Sequence, residues 1–573
     1  MHSAARTPSR PCPCAPRGLP RLRHDRTRPA GDSLNIDAEA RGYPDLHDHL
    51  AQLEAHGQVV RVDRAIDKDA EMHPLVRWQF RGGLPEQARK AFLFTNVVDG
   101  SGHRFDVPVL VGGLASNREI YRLGMGCELD EIGARWATAM SSPVAPIEVD
   151  DAPCHELVVR GEALTGPRAG LDGIPVPVST PGWDNAPYTT TSHFITRDPD
   201  TGIQNVGNYR GQFKAPLRLG MNPSVELTPG IYTHWLKYRD RGEPMPCAVV
   251  LGAPPAVTFA AVQKVPPTTG ELSVAGALAG APIHTVRAKT VDIHVPAWSE
   301  IVVEGYIATD ALEPEGPVGE SHGHVNLQEY NAFLEVTAIT RRRDAVLTSI
   351  ISQVTPSESS LIKRVAYEPM FLAHLRDQLG IRSVVRVGMH EPLTNIRKVI
   401  LVQVQRGTPE TEVWRALYGA ASFQRSSGKY VIAVDEDIDP DNADAILWAM
   451  SYRSNPERDL RVLSHQDPGH GPQAQGSDAA VLVNATLRGD YPPISLPKRE
   501  FMERARDIWN ELGLPPLSPQ APWYGYSLGD WPERLEREAE LATQGRYFEV
   551  GEEAAQRRRR DVEMNQPIDE LGG

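Results

Sequence analysis

Cysteine is scarce in this chain. Five in 573 residues (Cys12, Cys14, Cys127, Cys154, Cys247), odd in number and without metal-ligand spacing, exclude a disulfide framework and a thiolate metal centre. Free thiols in a reducing cytoplasm are expected. Long apolar runs are missing as well: nothing approaches the ~18 residues needed to span a bilayer, so no membrane partner is expected. Positive charge is short, with Lys+Arg 60 against Asp+Glu 74 and a net charge of −14. With no basic stripe beyond the extreme N-terminus, a nucleic-acid partner is excluded. Gly124-Met125-Gly126 has neither the third glycine nor the leading strand of a dinucleotide fingerprint. Asp435 to Asp441 resembles a calcium loop but fails, with Pro440 where glycine is required and Ile446 where the bidentate glutamate should fall. That stretch reads instead as a strand end entering a helix, capped by Asp439 or Asp441. No internal repeat is present.

The balance that remains, 40% hydrophobic and 23% charged residues, is that of an ordinary globular protein, and the length suits two to four domains. Met1 to Asp32 holds seven arginines, repeated prolines and almost no acid. It fits disorder, as from an over-extended start, better than a transit peptide, so 1–42 is expected to be a disordered tail. Residues 43–156 alternate helix and strand: Leu46, Leu50 and Leu53 keep helical spacing, and Val59 to Val62, Phe92 to Phe94 and Val107 to Val111 read as strands. From 157 to 355, short β-branched runs recur between Gly/Pro turns: Leu157 to Val159, Cys247 to Leu251, Val257 to Val262, Val291 to Val295, Glu300 to Val303 and Phe333 to Ile339. A barrel or sandwich follows, with one clear helix at Ile231 to Arg241. Alternation returns over 356–515, with helices at Tyr367 to Leu379, Thr411 to Ser422 and Asn442 to Ser451. A helix from Lys498 to Leu512 is suited to docking on a partner subunit. Charge dominates 516–573, a solvated or disordered tail.

Two stretches carry chemistry. Gln204 to Gln212 puts Asn205, Tyr209 and Arg210 close together. Pro314 to Glu320 spaces Glu315 and Glu320 five apart across Gly316, Pro317 and Gly319, an irregular loop where backbone can approach a ligand. An arginine able to grip a carboxylate and two glutamates able to carry protons suit work on an acid substrate. The plainer alternative is an ordinary Arg210–Glu315 ion pair beside a solvated Glu320.

Asn205-x4-Arg210, Val302-Val303-Glu304-Gly305, Glu315 to Glu320 and Val434 to Asp439 occur in an order and separation that resemble the UbiD family of reversible decarboxylases, which includes ferulic acid decarboxylase. The likeness spans 43–515. It implies an α+β multidomain protein with an N-terminal α/β domain, a central split β-barrel (flavin reductase-like) and a C-terminal α/β oligomerisation domain. It also implies prenylated FMN, supplied by a flavin prenyltransferase, as the electron sink for loss of CO2. The cofactor phosphate would be held through a divalent metal, Mn2+ by family habit, with K+ nearby. Asn205 and Glu271, which lies 44 residues before Glu315, match two of the family's metal ligands. The third, a histidine, falls at Thr228, and Glu226 is the expected substitute; His234, six residues on, is expected to be a helix-packing residue.

Asn205, Gly207, Tyr209, Arg210 and Glu271 would contact cofactor. Arg210 would bind the substrate carboxylate and tune Glu315, and Glu320, its pKa raised by burial, would deliver the proton. Tyr209, Phe213, His322, His324 and Tyr330 suit an aromatic acid, each with a packing alternative. A homodimer or larger homo-oligomer is implied. A split-barrel flavin reductase and a non-catalytic subunit of a multi-subunit carboxylase are the competing classes.

Overall fold

The β-branched runs of the middle of the chain pair into one nine-stranded antiparallel sheet. This computed structural model describes residues 38–225, 228–265, 268–467, 476–488, 494–519, 523, 525–527, 532–557 and 564. In hydrogen-bond order the sheet runs Gln204–Asn208, Ser192–Arg197, Met245–Leu251, Ile301–Ile307, Phe333–Arg341, Arg218–Met221, Gly211–Ala215 and Tyr188–Thr189, with Leu157–Arg160 paired to Phe333–Arg341. Side chains alternate across it, as the two-residue strand period requires. Phe194, Cys247, Val249, Leu251, Val303 and Leu334 fill one core, while Ile195, Ala248, Val250 and Val302 join another with the helices Pro255–Ala261 and Glu271–Ala279.

The order hides a closure. Gln204–Asn208 is first in the sheet and Gly211–Ala215 seventh, yet Tyr209 and Arg210 alone connect them. Tyr188–Thr189, last in order, is likewise two residues from Ser192–Arg197, the second strand. A flat sheet cannot bring its ends so close, so this one coils into a half-barrel. Arg210 lies on the seam.

The N-terminal layer is a four-stranded sheet, Val59–Val62, Ala91–Phe94, Val109–Val111 and Leu347–Ser349, the last pairing parallel to Val109–Val111. That fourth strand comes from the stretch expected to be wholly barrel. The C-terminal layer orders Val384–Met389, Val399–Val404, Tyr430–Asp435, Asp478–Asn484 and Leu460–Gln466. Among the described residues no helix is long and apolar enough to cross a membrane.

Several expectations need correction. Val257 to Val262 is not a strand: Pro255–Ala261 is a helix buried on nearly every side, and such a run carries no period to distinguish the two. The helix expected from Tyr367 begins at Glu358, where Ser357 makes a capping box, and runs through Ala373 into a π-turn at His374–Gln378. Asn442, rather than Asp439 or Asp441, caps the helix Ala443–Tyr452 by accepting from Ala445 N. Residues 38–42 are not tail, because buried Arg41 pairs with Asp45 and Asp48. The charged end forms two helices, Glu533–Thr543 and Tyr547–Gln556, tied by Arg537 to Glu553 at 2.7 Å. Helix Arg499–Glu511 forms as expected and buries no residue.

Candidate active site

The seam places Arg210 opposite a folded excursion of the chain. Residues 313–331 are more regular than an irregular loop: Glu313–Glu315 pairs with Glu329–Asn331, and Val318–Gly319 with Val325–Asn326. Between the ribbons Gly316 adopts φ 97°, a left-handed conformation that favours glycine. The turn is pinned from outside by Asn185 Nδ2, which donates to Gly316 O at 2.7 Å, and by Asp184 Oδ1, which accepts from Gly319 N at 2.8 Å.

Both glutamates reach Arg210. Glu315, 1% exposed, accepts a bidentate pair, Nε to Oε1 at 2.9 Å and Nη2 to Oε2 at 2.8 Å. Glu320, whose side chain is 29% exposed, accepts from Nη1. Burial pulls Arg210 down, but hydrogen bonds and charge from Glu315 and Glu320 outweigh it and hold the guanidinium above its ordinary pKa. Burial also pushes Tyr188 up, with the charge of Glu315 adding to it. Asn222 and Asn331 approach Glu315 Oε2 at 3.5 and 3.4 Å. Glu315 is thus the buried partner of Arg210 and Glu320 the more accessible one.

A second cluster lies at the other end of the same edge strand. The Glu271 carboxylate takes the outward N–H of Val206 at 2.8 Å, the position another strand would otherwise occupy. Burial pushes Glu271 up to about 7, against the pull of the Val206 N–H and its own. Asn205 Nδ2 is buried here without a hydrogen-bond partner, as is Asn208 Oδ1 further along the strand and, beyond Arg210, Gln212 Oε1, whose Nε2 donates to Asn185. Gly207 lies under the Tyr209 ring, where a Cβ would collide, and Tyr209 packs edge-on to Phe194 at 6.1 Å. Burial and then the Glu271 charge push the Tyr209 phenol up.

The three domains match, in turn, the N-terminal (50–140), Rift-related (147–354) and C-terminal (361–478) domains of 3-octaprenyl-4-hydroxybenzoate carboxy-lyase. This chain belongs to the UbiD family. Its members are carboxy-lyases, and the family extends through most of the chain. The UbiD-class enzyme HmfF from Pelotomaculum thermopropionicum, solved with FMN, is 29% identical, with 81% of this chain and 100% of that one covered and a TM-score of 0.69. An evolved dimeric form of HmfF, in complex with prFMN, gives 29%, 79% and 97% coverage and 0.68. Apo 3,4-dihydroxybenzoic acid decarboxylase from Klebsiella pneumoniae shares the fold at 23% identity, 80% and 99% coverage and 0.67.

Against that family pattern, the residues present fit a bound heterocycle carrying a charged tail. The orphaned amides of Asn205, Asn208 and Gln212 offer donors and acceptors, and buried Glu271 offers a carboxylate in want of a cation. The metal set is incomplete among the described residues, where no three His, Cys, Asp or Glu side chains gather. Asn205 and Glu271 come together; Glu226 lies outside the described residues. Thr228 stands where the histidine is expected, and its backbone is left-handed, φ 48°. His234 is buried in its helix and bonded to Thr196 Oγ1 at 2.9 Å, the packing role expected of it.

Of the candidate substrate contacts, Tyr330 is 73% exposed and His322 stacks with His324 at 6.0 Å. Sequence reasoning missed Asn185, Asn222 and Asn331, which give no local signal.

Proposed function

We propose that the chain is a reversible, non-oxidative decarboxylase of an aromatic or α,β-unsaturated carboxylic acid, working with prenylated FMN. The observation that carries this reading is the Arg210 guanidinium shared between buried Glu315 and accessible Glu320 on the barrel seam. When bound, prenylated FMN supplies the electron sink for loss of CO2. Asn205, Gly207, Tyr209, Arg210 and Glu271 line its place in the flavin reductase-like split barrel. Asn205 and Glu271, with Glu226 in place of the histidine, offer hard oxygen ligands to a divalent cation such as Mn2+, with K+ beside it.

Each side chain has a distinct task. Glu315 fixes the plane of Arg210, and Arg210 turns its remaining edge to Glu320 and to the acid substrate. Glu320 gives its proton to the carbon that CO2 has left and is reprotonated from water. Carboxylation is the same path reversed, so CO2 pressure sets direction. The three residues together have no task in a flavin reductase or in a non-catalytic subunit. A flavin prenyltransferase as cofactor supplier, a homo-oligomer and a cytoplasmic location complete the proposal.

The test is the spectrum and cofactor mass of protein co-expressed with and without a flavin prenyltransferase, followed by assay of CO2 release from unsaturated acids. Prenylated FMN with a stoichiometric divalent metal, and CO2 release, are expected. Plain FMN or no flavin in the presence of the prenyltransferase overturns the reading.

A further inference from the structure

One face of the helix Met72–Arg81, in the N-terminal layer, is given over to a single segment of the barrel chain. His73, Arg77 and Arg81 are spaced four apart, which on a helix sets them in one row. His73 Nε2 lies 2.9 Å from Ser349 Oγ. Arg77 Nη2 donates to Gln353 Oε1 at 2.7 Å and to Ser179 O at 2.9 Å. Arg81 Nη2 donates to Val354 O at 2.6 Å and to Thr355 O. The contacts advance along 349–355 as the row advances along the helix. Both guanidinium groups are turned onto uncharged oxygens, where they fix backbone and an amide rather than balance a carboxylate.

What those oxygens belong to is the surround of Glu320. Gly319, the residue before it, fits a slot between Thr180 and Gln353: a Cβ there would collide with Thr180 Oγ1 and stand 3.2 Å from Gln353 Cγ. Asp184 closes the slot, its Oδ1 accepting from Gly319 N at 2.8 Å and its Oδ2 from Thr180 N at 2.7 Å. On the other side Val354 N donates to Glu320 O at 3.4 Å. Arg77 therefore holds both walls of the slot, one through Gln353 and the other through the carbonyl that precedes Thr180. Arg81 holds Val354 by its carbonyl while the Val354 N–H holds Glu320. Ser179, Gln353 and Thr355 are all buried, so water does not replace these contacts easily.

We infer that Arg77 and Arg81 are positioning residues for Glu320: from the N-terminal layer they hold the slot and the strap that aim its carboxylate. This rests on the decarboxylase reading above. Glu315 needs no such help, being buried and gripped by two guanidinium nitrogens. Glu320 is more exposed and meets Arg210 through Nη1 alone, so its place is set by the backbone that carries it. A group that hands a proton to carbon must be held closely, since a misplacement of about 1 Å can cost about 10²-fold in rate. Proton delivery thereby depends on the docking of a helix that itself touches neither Glu320 nor Arg210.

The test uses full-length protein loaded with prenylated FMN and an unsaturated acid from which it releases CO2. Arg77→Met should lower kcat by about 10²-fold, with KM within a few-fold and cofactor content unchanged, and Arg81→Met should act in the same direction. Arg77→Lys and Arg81→Lys, which keep a donor, should recover most of the loss. Gln353→Ala leaves the helix untouched and should reproduce the Arg77→Met loss. The double variant should lose no more than Arg77→Met alone, because both changes act on one slot. Hydrogen exchange reads the hold directly: the Gly319 amide in Arg77→Met and the Val354 amide in Arg81→Met should exchange about tenfold or more faster than in wild type. Near wild-type kcat in both methionine variants, additive losses in the double variant, or unchanged exchange at both amides overturns the inference. If the methionine variants do not fold, wild-type kcat in Gln353→Ala overturns it instead. A wild-type protein that releases no CO2 from any acid defeats the decarboxylase reading, while faster exchange in the variants still supports the hold on Glu320, so the two fail separately.

Discussion

The two ends of the strand Gln204–Asn208 differ in how far the chain satisfies itself. At the Arg210 end every guanidinium nitrogen has a carboxylate, so the charged groups hold one another, although the Tyr188 hydroxyl and Gln212 Oε1 beside them are buried without partners. At the Asn205 end the charged group itself lacks a counter-charge: Glu271 is buried against a single backbone donor from another residue, and the Asn205 amide nitrogen has no partner. A self-satisfied cluster is pre-organised for chemistry, whereas an unsatisfied one is shaped for a ligand and is stable only when filled. The contrast separates orienting from holding.

The sharpest way to break this contrast is at Glu320. Glu320→Gln keeps a hydrogen-bonding group beside Arg210 and removes the proton, so CO2 release should fall about 10²–10⁴-fold, the range for a positioned general acid, while cofactor content stays near wild type. Activity within a few-fold of wild type would mean the proton comes from elsewhere. Next is Glu315→Gln, which leaves Arg210 paired only to the more exposed glutamate. Stability should drop by about 3 kcal/mol, the low end for removing one partner of a buried pair, with denaturant titration as the check; an unchanged midpoint would mean the cluster is not self-supporting. The smallest effect is at the other end. Added Mn2+ should stabilise cofactor-loaded protein by roughly 2.7 kcal/mol at a hundred times its Kd, and Glu271→Gln should abolish that increment in a thermal scan. A variant that still responds fully to Mn2+ would move the metal off this cluster.

What was legible in the sequence follows the same division. Arg210, Glu315 and Glu320 could be singled out because each lies in a short segment marked by its glycines and charges, but spacing left an ordinary ion pair open, and the order of motifs resembling the family gave them their expected roles; that all three meet is set by the barrel seam. The barrel strands were readable as short β-branched runs bounded by Gly/Pro turns, because a strand with a core on each face is apolar along nearly its whole length. Pro255–Ala261 was misread since burial on all sides erases the period, leaving a β-branched run that looks like a strand. The cap of the helix Ala443–Tyr452 was misplaced because Asp439, Asp441 and Asn442 all qualify locally, and only the φ/ψ of Asn442 decides among them. Asn185, Asn222 and Asn331 were invisible for a different reason: each acts on a group elsewhere in the chain, Gly316 O 131 residues on and the Glu315 carboxylate 93 and 16 residues away, and no local pattern encodes such a meeting.

The strand Leu347–Ser349 has a consequence for how this protein is made. Its partner Val109–Val111 leaves the ribosome about 240 residues earlier, roughly 10–50 s at ordinary synthesis rates of 5–20 residues per second. Throughout that interval the nascent N-terminal sheet has an open, apolar edge at a strand that ends fully buried, the kind of surface that recruits foreign strands. The first domain therefore cannot finish folding before the second has been synthesised, and a fragment ending near residue 156 would carry that exposed edge permanently. Chaperone demand during translation should fall only once the chain has passed residue 349.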